Sequence, residues 1–293
     1  MKDRICKWMA PFFYALPGVA VGILVMYAHE ISAAIYMQNF VFLIICSAIA
    51  MAYMAWTSNS RIGEIGTIAM AIASVLFLAS SFLSDGVEGV HRWIQIGPVH
   101  FNAAFIALPI VLIAINRLLE DGYLKICAVL VLATALLLFL QPDASMISAF
   151  SVALLPVMCT KRRHKLWNFA VVAILLFLSA VSWRNRDGLQ PVSYVEDILV
   201  LAAESGWVYL SFCVSALLVM LWPFVRPNGF QQYRGISISL GLFFLVLIVS
   251  ALFGHFPVPL IGYGISPILG YMISVAYVVI ENSTTLWENY GIM

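Results

Sequence analysis

The sequence predicts an all-α, polytopic membrane protein: one transmembrane domain over residues 1–293, about ten spans, both termini cytoplasmic. Three observations lead there. Only 10% of the 293 residues are charged, against about 25% in soluble domains. Mean hydropathy is +1.00 and 63% of residues are hydrophobic, more apolar surface than an interior of this size can hide. The apolar runs are continuous rather than alternating, which excludes a β-barrel. The net charge of +1 points to no class of partner, and no nucleic-acid ligand is expected.

A helix needs about 20 apolar residues to cross the hydrocarbon core. Ten runs qualify: 9–28, 40–57, 65–83, 100–116, 123–140, 144–160, 166–183, 197–225, 236–254 and 256–280. The first lacks a small-x-small cleavage site and reads as a retained span, not a signal peptide. The eighth carries Glu204 in its body, where an acid is costly and functional by default. The last opens with HFPVPLIGYGISP. Its prolines and glycines predict irregular backbone over 256–267, tolerated at membrane depth only against protein or a water-filled cavity. Cys6, Cys46, Cys127, Cys159 and Cys213 show no CxxC spacing, so neither a disulfide framework nor a cysteine metal site is expected.

Loop charges set the orientation. With the N-terminus inside, the inner segments hold Lys2, Arg4, Lys7, Arg61, Arg117, Lys125, Lys161, Arg162, Arg163, Lys165, Arg226 and Arg234. The outer segments hold only Arg92, Arg184 and Arg186. Glu30, Asp85, Glu88, Asp143, Asp187, Glu196 and Asp197, with His29, His91, His100 and His255, then fall at the outer face. The ionisable chemistry collects there.

Four outer segments could carry chemistry: GVHRWIQIGPVHFN (89–102), LQPDAS (140–145), SWRNRDGLQPVSYVEDI (182–198) and FPVPLIGYGISP (256–267). Each alone reads more readily as an interspan turn. Glu196 and Asp197 suit a helix N-terminus, Arg184 and Arg186 suit interfacial snorkelling, and Trp93 suits an interfacial anchor. His91 and His100 read as solvated loop residues.

Taken together and in order, the segments resemble the SEDS (shape, elongation, division and sporulation) family. GVHRWIQIG is similar to that family's G-x-x-R-W-[IL]-x-[IL]-G segment, and QPD at 141–143 to the start of its Q-P-D-x-G-T element. PVPLIGYGIS at 257–266 resembles P-x-P-[FL]-[IV]-S-Y-G-G-S, and VEDILVLAAESGW at 195–207 resembles H-T-D-F-I-F-A-x-x-x-E-E. The resemblance implies a glycosyltransferase that polymerises a lipid-linked sugar precursor of the lipid II type at the outer face of the bacterial cytoplasmic membrane. It also implies a class B penicillin-binding protein as partner and a divalent cation (Mg or Mn) as cofactor. Asp197 or its neighbour Glu196 would be the catalytic base, with Asp197 preferred by residue type. Such transfer needs a carboxylate to take a proton from the acceptor hydroxyl and positive charge to hold the leaving pyrophosphate. Arg92, Arg184 and Arg186 are candidates for the pyrophosphate, since an arginine fork suits it. Trp93, Asp143, Glu204, Tyr263 and Ser266 complete the expected substrate-binding set.

The chain also departs from the family. Where relatives continue with Q-P-S-E and a lysine three residues later, this sequence has Asn102, Ala103, Ala104 and Phe105, with Leu108 at the lysine position. Ser145 and Met146 replace Gly-Thr, Gly262 replaces a serine, and Ile265 replaces a glycine. The loop before Asp197 is short, and so is the whole chain. A second reading is therefore a SEDS-like protein that binds a lipid-linked precursor or regulates a penicillin-binding protein without catalysis. A transporter is a weaker third, because the charges lie at the surface and not on paired broken helices at the midplane.

Overall fold

The computed structural model describes residues 7–57, 62–97, 99–160, 165–225 and 231–290. Lys2, Arg4, Cys6, Arg61, Lys161, Arg162, Arg163 and Arg226, used above, lie outside these residues. The described helices are α1 (Ala10–Ala28), α2 (Ala33–Thr57), α3 (Glu64–Ser80), α4 (Ala103–Glu120), α5 (Leu124–Leu140), α6 (Ala144–Thr160), α7 (Lys165–Arg184), α8 (Ile198–Glu204), α9 (Trp207–Val225), α10 (Gln231–Phe253) and α11 (Ile265–Tyr290). Among the described residues, seven helices are long and apolar enough to cross a membrane, and three shorter apolar ones accompany them. They stand where the sequence predicts ten spans, and the all-α class holds.

Three elements differ from expectation. The second helix begins at Ala33, before the run at 40, because Gln38 and Asn39 are helical rather than loop. Asn39 is fully buried and hydrogen-bonded, so a polar residue inside the span is satisfied rather than expelled. The eighth run is not one helix. Gly206, at φ +114°, separates α8 from α9; only glycine adopts that backbone without cost. Glu204 therefore closes a seven-residue helix and is exposed, instead of lying in the body of a span. The segment after α3 is also not plain loop: β1 (Trp93–Ile96) and β2 (Val99–Asn102) form an antiparallel hairpin pairing Trp93 with Asn102 and Ile96 with Val99. The irregular backbone expected over 256–267 is found between α10 and α11, with Leu260 at φ 66°.

The chain divides into two compact units: Met1–Arg61, Gln190–Ser237 and Leu247–Met293 form the first, and Ile62–Leu189 with Ile238–Val246 the second. In the first, α1 packs on α2, α9 and α11. Its Gly18 and Gly22 let backbone come close: a Cβ on Gly22 would lie 2.1 Å from the Ile261 carbonyl oxygen. This is small-residue packing that apolar helices use when no side chain can fit between them. In the second unit α4 packs against α3, α5 and α6, and 78% of its apolar window is buried. Asn102 caps α4 by accepting a hydrogen bond from the Ala104 N–H at 3.0 Å.

Candidate functional site

The second unit holds a buried charge cluster built on the turn between α5 and α6. Asp143 starts α6: its Oδ1 accepts from the Ser145 hydroxyl at 2.9 Å and from the Met146 N–H at 3.1 Å. Those bonds satisfy donors at the helix start and hold the carboxylate rigid. Its Oδ2 lies 3.4 Å from Arg92 Nε. Arg92 comes from the strand side of the hairpin and is buried; its main-chain carbonyl accepts from the Ala103 N–H at 3.1 Å. The guanidinium also donates to the Gln141 carbonyl at 3.3 Å, to the Pro142 carbonyl at 2.6 Å and to Asp187 Oδ2. Asp187 in turn accepts from the Leu189 N–H at 3.1 Å. The three sequence segments around Arg92, Asp143 and Asp187 are thus tied by one guanidinium.

The first unit holds Glu196, Asp197, Glu204, Tyr263 and Ser266. The turn at 192–197 and the segment at 254–264 are joined by main-chain bonds, Val258 N–H to the Val195 carbonyl at 3.3 Å and Tyr263 N–H to the Tyr194 carbonyl at 3.0 Å. Gly262 allows this: a Cβ there would sit 2.4 Å from the Val195 oxygen. Asn39 secures the same segment, donating to the Gly262 carbonyl at 3.2 Å and accepting from the Gly264 N–H at 3.1 Å. Tyr263 donates to Gln38 Oε1 at 2.7 Å and meets Tyr194 edge to face at 6.0 Å. Burial pushes the Tyr263 hydroxyl above its ordinary pKa, and Tyr194 adds to the rise.

This lacing distinguishes the two adjacent acids. Glu196 turns back on its own loop and accepts from the Val192 N–H. Asp197 occupies the N-cap position of α8 but makes no side-chain cap bond. Its Oδ1 instead meets His255 Nδ1 at 2.8 Å, with the Asp197 side chain 26% and the His255 side chain 62% exposed.

The remaining candidates are placed as follows. Arg184 ends α7 and is exposed; Arg186 is exposed, with its guanidinium carbon 5.7 Å from the centre of the Trp183 ring. Trp93 is half-buried in β1. Ser266 is buried in the first turn of α11. Among the described residues no group of three or more His, Cys, Asp or Glu is arranged to hold a metal. The paired carboxylates of Asp143 and Asp187 already share a guanidinium, which supplies the positive charge a cation would bring.

Three contributors escaped the sequence reading. His255 is signalled only by its place directly before the FPVP element. Asn39 was signalled by a polar pair, Gln38-Asn39, ahead of an apolar run. Gly22 was signalled by the G-x-x-x-G spacing with Gly18.

These features define a multi-pass α-helical membrane protein with two separately built acidic centres. Its fold is that of RodA. The Thermus thermophilus Rod shape determining protein RodA matches with a TM-score of 0.71 at 18% identity, over 94% of this chain and 97% of that one. A RodA variant from the same organism gives 0.72 at 19% identity, over the same shares. A chain from a peptidoglycan synthase complex, described for its coordination of polymerization and crosslinking, gives 0.71 at 18% identity. No family model matches the sequence. A probable peptidoglycan glycosyltransferase FtsW of Idiomarina loihiensis is 29% identical over 154 residues, 48% of this chain. That match spans 36% of the FtsW protein, about a third of its length. The SEDS resemblance carried by the four motifs thus agrees with the fold and with a curated relative.

Proposed function

We propose that this chain is a compact SEDS-type glycosyltransferase of the bacterial cytoplasmic membrane, polymerising a lipid-linked disaccharide of the lipid II type at the outer face. The observation that carries the reading is Asp197: a partly exposed carboxylate, not used as a helix cap, at the position matching the family's catalytic aspartate. In transfer, the acceptor hydroxyl attacks C1 of the donor sugar and must lose its proton; a fixed carboxylate supplies the negative charge that draws it off. Arg184 and Arg186 are exposed cations of the second unit, of the chemistry that suits a diphosphate. Arg92 acts one step back, fixing Asp143 and Asp187 instead of presenting its own fork. A class B penicillin-binding protein is the proposed partner, which would crosslink the product. The RodA fold and the name of the curated FtsW relative support this assignment.

The test is reconstitution of the purified protein with labelled lipid II, with and without a class B partner and with and without divalent cation. Glycan polymer is expected from the wild type, none from Asp197→Ala, and a smaller loss from Glu196→Ala, which loosens only the turn. Lipid II binding without product under every condition would overturn the enzyme reading.

One observation favours the non-catalytic alternative. Phe105 and Leu108 hold the positions of the family's glutamate and lysine, and both are fully packed in α4, at 1% and 0% exposure. That pair of charges is gone from this chain, and its place is hydrophobic core. Binding without turnover in the same experiment would select that reading.

A further inference from the structure

We infer that His255, held by Asp197, is the group that receives the acceptor's proton; this rests on the glycosyltransferase reading above. Asp197 Oδ1 and His255 Nδ1 are 2.8 Å apart, so the carboxylate fixes the imidazole with its proton on Nδ1. That tautomer leaves Nε2 with a lone pair, the state a general base requires. The geometry is not a chance meeting of two mobile side chains. Asp197 follows a turn whose amides bond to Val192 and Ser193, and His255 opens a segment tied by Val258 N–H to the Val195 carbonyl. Both members are thus set by main chain of the same unit. A less exposed acid, held by its own turn, beside a more exposed imidazole is the arrangement in which the carboxylate orients and the ring carries the proton.

The step balances. The acceptor oxygen forms a bond to C1 of the donor sugar, and the bond from C1 to the diphosphate oxygen breaks. Its electron pair leaves with the lipid diphosphate. The hydroxyl proton moves to His255 Nε2, and the imidazolium is stabilised by Asp197. The exposed ring then releases its proton to water. Loss of Asp197 would remove both orientation and charge stabilisation, so both substitutions should fail through the same step.

The experiment compares wild type, His255→Gln, His255→Asn and His255→Ala in the reconstituted lipid II assay, with unfolding temperatures measured in parallel. His255→Gln keeps a donor toward Asp197 but takes up no proton. Its kcat is expected to fall about 100-fold or more, the usual contribution of a general base, with KM little changed. Imidazole added to His255→Ala should restore part of the activity. Nitrogen-15 spectra of histidine-labelled protein should show an Nδ1–H ring in the wild type that is lost in Asp197→Ala. A folded His255→Gln or His255→Asn with turnover within about threefold of wild type overturns the inference and leaves the glycosyltransferase reading standing. A wild type that binds lipid II and makes no polymer overturns both.

Discussion

The guanidinium of Arg92 faces two carboxylates and two carbonyl oxygens, and that company decides what it does. An arginine so occupied is a tie between segments. Asp187→Ala leaves Arg92 paired with Asp143 but removes one acceptor of its guanidinium, so it should destabilise the protein by about 1–3 kcal/mol, read as a lower unfolding temperature in detergent. Asp143→Ala should cost more, because it also uncaps α6, worth about 1 kcal/mol. Arg92→Lys should not rescue the cluster, since a lysine ammonium cannot present the planar fork that spans these four acceptors. The sequence placed Arg92 and Asp143 beside the right motifs. It could not show that they meet, because the contact joins residues about fifty positions apart and depends on where the hairpin folds back. For the same reason it could not separate Glu196 from Asp197: neighbouring acids look alike until one bonds its own turn and the other bonds His255.

At the level of the element, the segment between α10 and α11 shows how a broken span is held. Its backbone is strained at Leu260 and crowded at Gly262, and both are fixed by neighbours and not by helix bonds. Asn39→Leu would leave the Gly262 carbonyl and the Gly264 N–H without their side-chain partner, a loss of roughly 1–3 kcal/mol for each buried group left unpaired. Gly22→Val should be worse than Gly22→Ala, since even a Cβ meets the Ile261 oxygen; thermal unfolding and polymer yield should fall together. Tyr263, with its hydroxyl pKa raised in the fold, favours the folded state fully below the ordinary tyrosine value near 10. That contribution is lost as pH rises through the raised value, and Tyr263→Phe should flatten this alkaline limb of a stability profile. The proline and glycine content made the irregular segment legible in the sequence. The break at Gly206 was not, because the apolar run continues through it and a single glycine inside such a run is common. The hairpin at 93–102 was hidden for a related reason: Gly97 marks a turn, but the strands are too short to show a period.

For the molecule as a whole, apolar run length carried nearly everything about the fold, because the membrane demands long helices whatever else they do. The orientation yields its own prediction. With both termini inside, Arg186→Cys should react with an impermeant thiol reagent added to intact cells, and Lys125→Cys should react only after permeabilisation. The reverse pattern would invert the chain. Gly262 has a further consequence, for the routes by which this sequence could change. The family pattern that this segment resembles has serine at that position, but here a side chain would run into the Val195 oxygen two residues before Asp197. A lone Gly262→Ser change should therefore push the turn aside and disturb the Asp197–His255 contact. A serine at 262 would be accommodated only together with a change that moves the 192–197 turn, so the two places in the chain are coupled.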